Sequence, residues 1–572
     1  MAALIVFVVA FGAYAWTAAP AAGWLDSPEF VAAASTLGVP HSPGHPVPVL
    51  LGRAAQLVPL GDADVRVALA SALAVAAAAA LVVVAVERLA ARLARDTAPA
   101  LRSSVAAGCG LAFAASGAAW LQAVRAEVYG AEIAACALAL ALLVADPRSP
   151  RHVATAAFAL GLGLANHHYM TLVFAAPLAV WVLAGRPGWR TVGRATGCAA
   201  AGLLAYAYLP LRALREPLVN WGDPDTPARF LWTVSARAFQ KSLAAGQHAV
   251  DSRSDDALQV GAALVEQLSP LGVLLVLLGA YLLLRRRDAR GVALALLGVV
   301  ASTAGGRALL GFDFDNPDAL GYLLPALLAA FVLAGAGLCA LAPTLRRAAP
   351  AVAVLAFATL AWQAAVHAAP SSRRSAESGD VWTHALAAAL PSRAVLITSY
   401  FETSFQLAEL AAVEQARPDL VIYDRSFATY PGFAASARRR HPELAEVIDA
   451  GLHVGAPAPL AALTALARTR PVYFELAPTL EAPVAPEGLF ARFGALATHD
   501  PEAALRALER QLPLDADVRR ALLWHEYLRA GVHCAAGARA SAAAAIARAR
   551  RLAPADPSLA ALAAGCGLEA QP

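Results

Sequence analysis

The sequence predicts a polytopic α-helical membrane protein with a C-terminal soluble tail of α/β and helical-repeat-like character, and three observations carry that prediction. The 572 residues are 59% hydrophobic and only 15% charged, and the mean hydropathy of +0.57 lies well above that of soluble globular chains. Apolar runs of membrane-spanning length recur from Met1 to Val366. After Pro370 charged residues return, and short β-rich runs alternate with helical segments.

A spanning helix needs about 20 predominantly apolar residues. That template places spans near Met1 to Ala18, Val67 to Val86, Val105 to Ala123, Val128 to Val144, Val153 to Ala165, Tyr169 to Ala184, Val192 to Leu209, Leu264 to Leu284, Val292 to Leu310, Leu320 to Leu341 and Ala351 to Val366. The expected total is about eleven, or ten if the two short runs that meet at Asn166, His167 and His168 form one tilted helix. The apolar N-terminus lacks a basic n-region and a cleavage site, so it reads as a retained first span.

Arginines orient the set, because positive charge stays on the cytoplasmic side. With a cytoplasmic N-terminus the even connections carry Arg88, Arg92, Arg95 and Arg102, then Arg148 and Arg151, then Arg186, Arg190 and Arg194, then Arg285 to Arg287 and Arg290, and finally Arg346 and Arg347. The odd connections show no such excess. This arrangement predicts a multi-pass protein of the inner (plasma) membrane whose tail is exoplasmic or periplasmic. Net charge is only +4 and Lys241 is the single lysine, which argues against a nucleic-acid partner.

The expected domains are residues 1–369 in the membrane, an α/β module over 370–500 and a tetratricopeptide-like helical tail over 501–572. Strands are expected at Ala394 to Thr398, Leu420 to Tyr423 and Pro471 to Leu476. Cys109, Cys136, Cys198 and Cys339 fall in apolar runs, where a thiol acts as a small hydrophobe. Cys534 and Cys566 would end the first and third helices of a small array, a geometry that permits a bridge but equally leaves room for two free thiols.

The polar motifs collect on the outer face. Asp26-Ser-Pro-Glu29 reads as a helix start, with Asp26 or Ser27 as N-cap and Glu29 on the same face. A carboxylate at the membrane edge can serve as a general base. Arg125, Glu127 and Tyr129 sit where the third span meets the fourth; the pair either neutralises itself or offers arginine to a phosphate. Adjacent histidines point about 100° apart on a helix, so His167 and His168 suit hydrogen bonding better than a metal site. Arg212 precedes Asn220-Trp221-Gly222-Asp223-Pro224, whose indole, amide and carboxylate suit a sugar, or else form a turn around a buried Trp. Asp313, Asp315 and Asp318 read as a solvated loop or weak cation site.

Taken in order, Asp26 to Phe30, Gly38 to Pro46, Gly52-Arg53, Glu127-Val-Tyr129, Gly163 to His168, Tyr208 to Arg212 and Asn220 to Pro224 resemble a bacterial and eukaryotic family. That family was first catalogued as a domain of unknown function and is now grouped with protein O-mannosyltransferase-like enzymes of the GT-C fold. The resemblance implies an inverting membrane glycosyltransferase. Such an enzyme moves a sugar, mannose or another hexose, from a polyprenyl-phosphate donor to a protein or glycan hydroxyl on the exoplasmic side. It also implies Asp26 as the catalytic base, with Glu29 as second candidate. Where members carry an Asn/Asp-rich string after the first strand of the tail, this chain has Ser399 to Ser404. On this reading Arg125 or Arg212 neutralises the departing phosphate, and no metal or other cofactor is required. A transporter or flippase would predict broken, charged spans and an internal repeat. A membrane anchor presenting an interaction domain leaves the first-loop acids unexplained.

Overall fold

The computed structural model describes residues 1–239, 252–312, 316–475, 483–487, 489–494, 502–512, 516–554 and 556–568. Asp313 and Asp315 therefore lie outside the described residues. Contacts divide the chain into two units: Met1–Pro20, His41–Leu211 and Leu231–Ser375 form a helical unit, and Ala21–Pro40, Arg212–Phe230 and Ala376–Pro572 form the other.

Among the described residues of the helical unit, six helices are long and apolar enough to cross a membrane: Ala63–Leu93, Pro150–Ala184, Ser254–Leu284, Arg290–Leu310, Pro317–Ala348 and Ala351–Ser371. Pro99–Ala115 and Gly117–Ala123, bent by 65°, add a seventh if taken as one span, and Ala2–Thr17 and Tyr129–Ala145 are shorter apolar helices. The protein is thus a multi-pass membrane protein. Length and composition count fewer than the expected number of about eleven for two physical reasons. Some expected spans form short helices, and one long helix turns back on itself.

That helix is Pro150–Ala184, whose backbone leaves helical geometry at His167 (φ −139°, ψ 81°). Beyond the break, Pro177 packs on Gly298 and Trp181 on Gly291, so the second arm runs antiparallel to Arg290–Leu310. Tyr129, at the start of the Tyr129–Ala145 helix, and Arg307, at the end of Arg290–Leu310, both meet Tyr322. The Leu324–Leu341 helix, which follows Tyr322, fixes the other ends. Its Gly335 packs on Val86 and its Gly337 on Gly279, while Arg92 donates to the Val144 carbonyl (2.6 Å). The arms before and after His167 therefore both run away from Tyr322 in the same direction. The expected separation of two short spans at Asn166 to His168 corresponds to this reversal. Close approach relies on small residues, as is usual between helices in lipid.

Among the described residues, the second unit is built on a five-stranded sheet of order β2-β1-β3-β5-β4. Strands β1 (Val395–Thr398), β2 (Val421–Asp424) and β3 (Val472–Phe474) are parallel. Strands β4 (Val484–Glu487) and β5 (Phe490–Phe493) form an antiparallel pair beside β3. The three expected runs give β1 to β3; β4 and β5 were not expected, because Val484–Glu487 contains a proline and offers little alternation. Trp24, Trp382, Leu396, Tyr473 and Leu522 share one core, and Trp24 donates its indole N–H to Ser378 Oγ (3.1 Å). Helices Ala516–Ala535, Arg539–Leu552 and Pro557–Gly565 close the chain. Cys534 and Cys566 form a disulfide with Cα atoms 5.4 Å apart.

Candidate functional site

Asp26 is the N-cap of the helix Ser27–Thr36, which Pro28 helps to start. It is half-buried. One turn on, Glu29 is fully buried, and its Oε1 accepts the indole N–H of Trp221 at 2.5 Å. The ring that the sequence offers to a pyranose is itself packed away: Trp221 is stacked on Phe427 at 4.8 Å and 7° and is only 7% exposed. Its work in the structure is to hold Glu29. Tyr430, which sequence reasoning missed, faces the same acids; burial and then the charges of Glu29, Asp424 and Asp26 push its phenol pKa up.

The rest of the Asn220 to Pro224 string is also consumed internally. Asp223 is fully buried. It accepts from Asn220 Nδ2 (3.0 Å), Arg229 Nη1 (2.9 Å) and Arg439 Nη2 (2.9 Å). Main-chain bonds from Val39 N to Val219 O (2.7 Å) and from Trp221 N to Val39 O (3.4 Å) fasten the string to the segment that follows the Ser27–Thr36 helix. A side chain at Gly38 would forbid this, since its Cβ would lie 2.7 Å from the Val219 carbonyl. Arg212 donates Nε to Leu37 O (2.8 Å) and Nη2 to Thr36 O (3.1 Å), capping the carbonyl end of the Ser27–Thr36 helix. Two of its donors are thereby committed.

In the helical unit Arg125 is likewise neutralised, being 3.5 Å from Glu127 and 2.6 Å from Asp318. It also donates to Gln122 Oε1 (3.1 Å), and Gln122 Nε2 reaches the Pro317 carbonyl (2.8 Å). The commoner of the two sequence readings for an Arg/Glu pair at a membrane edge is the one the geometry shows.

Around the His167 break lies a different arrangement. The Tyr322 ring meets His167 (5.1 Å), Tyr129 (5.5 Å) and Tyr169 (5.9 Å), and His45 lies 6.2 Å from His167. The guanidinium of Arg307 lies over Tyr322 at 4.4 Å and donates Nη2 to the Gly311 carbonyl. Among the described residues Arg307 Nε, His168 Nδ1 and the Tyr169 hydroxyl have no hydrogen-bond partner. A guanidinium, a ring nitrogen and a phenol in one cluster can supply the hydrogen bonds that phosphate oxygens take. Sequence reasoning singled out the histidines and Tyr129 but passed over Arg307 and Tyr322. The available signal was a lone arginine at the non-basic end of a span.

Residues 26–191 match the family model described as the N-terminal domain of protein O-mannosyl-transferase TMEM260. This stretch is similar to that domain. The mouse protein O-mannosyl-transferase TMEM260 is 30% identical over 219 residues, a match covering 36% of this chain and 30% of the mouse protein. The family-model match, residues 26–191, takes in Asp26 through His168 and stops short of Arg212. Two structures of ArnT from Cupriavidus metallidurans, each 15% identical, align with TM-scores of 0.48 for the apo state and 0.47 for the form bound to undecaprenyl phosphate. They cover 84% and 87% of this chain, and 95% and 98% of theirs.

Proposed function

We propose that the protein is an inverting membrane glycosyltransferase that moves a sugar, mannose or another hexose, from a polyprenyl-phosphate donor to a protein or glycan hydroxyl on the exoplasmic side. The observation that carries the proposal is the cluster of Arg307, His168 and Tyr169, in which Arg307 Nε, His168 Nδ1 and the Tyr169 hydroxyl have no hydrogen-bond partner among the described residues and which adjoins the turn inside the family-matched stretch. The helical unit would hold the donor phosphate through these groups. Asp26 would take the acceptor proton. The acceptor oxygen then bonds the anomeric carbon as the bond from that carbon to the phosphate oxygen breaks, and the polyprenyl phosphate leaves with the electron pair. Glu29, engaged by Trp221, fits a role in fixing the helix that carries Asp26.

The basic even connections support a cytoplasmic N-terminus and an exoplasmic tail, and a disulfide in the tail suits an oxidising compartment. The test is transfer in membranes supplied with radiolabelled polyprenyl-phosphate sugars. Label should pass into protein or glycan with wild-type chain. No transfer from any such donor would overturn the proposal.

A further inference from the structure

Glu132 has no part in the chemistry above, yet it is fully buried in the first turns of the Tyr129–Ala145 helix. An ionisable side chain at such a depth is costly and marks function by default. Its carboxyl draws three segments together. Thr171 Oγ1, from the arm after the His167 break, donates to Oε1 at 2.5 Å. Asn166 Nδ2, from the arm before it, donates to Oε2 at 3.2 Å and to the Val128 carbonyl at 3.0 Å. Cys136, from Glu132's own helix, adds a long thiol contact of 3.7 Å. Gly163 leaves room for all this: a Cβ there would lie 2.7 Å from Thr171 Oγ1 and 3.2 Å from Glu132 Oε1.

The physical need is plain. A helix that breaks and restarts leaves the N–H groups of its new first turn without carbonyl partners, and lipid supplies no water to satisfy them. His167 Nδ1 accepts the Met170 N–H (3.5 Å), while Glu132 ties the side chains of Asn166 and Thr171 together across the break. An aliphatic residue of similar volume would fill the same space but leave the Thr171 hydroxyl and Asn166 amide without this acceptor, releasing the turn.

We propose that Glu132 is a positioning residue whose carboxyl clamps the Asn166 to Thr171 turn and so fixes His167, His168 and Tyr169 in the orientation that receives the donor phosphate. The ligand in this statement rests on the function proposed above; the clamp does not. The test uses the full chain in lipid nanodiscs with Glu132→Leu, Glu132→Gln and Gly163→Ala. Three quantities are read: the modification rates of His167 and His168 by diethyl pyrocarbonate, resolved by mass spectrometry; the affinity for polyprenyl phosphate; and thermal unfolding. Glu132→Leu and Gly163→Ala should raise the histidine rates several-fold and weaken polyprenyl phosphate binding by about tenfold, the loss of one charge-assisted contact. Glu132→Gln, which keeps one acceptor oxygen, should fall between these and wild type. If Glu132→Leu fails to fold, Gly163→Ala decides, since it crowds the clamp without removing the carboxyl. Unchanged histidine rates and affinity in the folded variants overturn the clamp. A wild-type chain that binds no polyprenyl phosphate overturns the functional reading instead, and the histidine rates still decide the clamp.

Discussion

Asn220 to Pro224 and Asn166 to Tyr169 both stand out in the sequence as polar strings, the first the more distinctive, yet the structure uses them in opposite ways. The first is closed on itself: Asp223 is occupied by Asn220, Arg229 and Arg439, and Trp221 is spent on Glu29 and Phe427. The second breaks a helix and gathers rings and an arginine, with Arg307 Nε, His168 Nδ1 and the Tyr169 hydroxyl open among the described residues. A distinctive string can be fold machinery. What separates a binding motif from a structural one is whether its donors and lone pairs are already taken, and that depends on partners hundreds of residues away, such as Arg439.

The comparison can be broken or sharpened by substitution. The largest effect is expected at Asp26: loss of a general base typically costs 100- to 10,000-fold in rate, so Asp26→Asn should abolish measurable transfer while membrane insertion persists. Glu29→Gln should be milder. In the closed string, Asp223→Asn strips a buried carboxylate from two arginines and should destabilise the second unit by about 3 kcal/mol, read as earlier denaturant unfolding. Normal turnover is expected in the fraction that stays folded. Cys534→Ser should cost a similar or smaller amount, about 3 kcal/mol for a loop of this size, and make the last three helices protease-sensitive without altering transfer.

The smallest effect concerns pH. Burial pushes Glu475 up to about 7 from 4.5, against the opposing bonds from Thr403 and Thr398. Burial also pushes His525, 3.8 Å away, down to about 4 from 6.5. For Glu475 the raised folded value favours the neutral acid, so its contribution is full below about 4.5 and fades as pH rises through about 7. His525 has the opposite sense: its contribution is full above about 6.5 and fades as pH falls through about 4. Glu475→Gln should therefore flatten the decline in tail stability between about pH 5 and 7, as followed by urea unfolding across that range.

Much of this was legible in the residues. Apolar length gave the helical region, β-branched runs gave β1 to β3 within a residue or two, and helix ends placed Cys534 near Cys566. The meeting of two short spans at His167 could be read because a polar string interrupts apolar ones. Contacts across long separations could not: Trp24 with Trp382, Trp221 with Phe427 and Arg125 with Asp318 leave no local signature. Nor did Arg307 or Glu132 stand out. Each is a single charge in an apolar helix, and its meaning comes from what faces it.

The most direct measurement is the affinity of the full chain in nanodiscs for polyprenyl phosphate, in wild type, Arg307→Gln and Asp223→Asn. If the His167 turn is the donor site, Arg307→Gln should weaken binding by about 10- to 100-fold, the worth of a charge-assisted contact, while folded Asp223→Asn binds as wild type. Loss of binding in Asp223→Asn with Arg307→Gln unaffected would contradict the account and return the Asn220 to Pro224 string to the site.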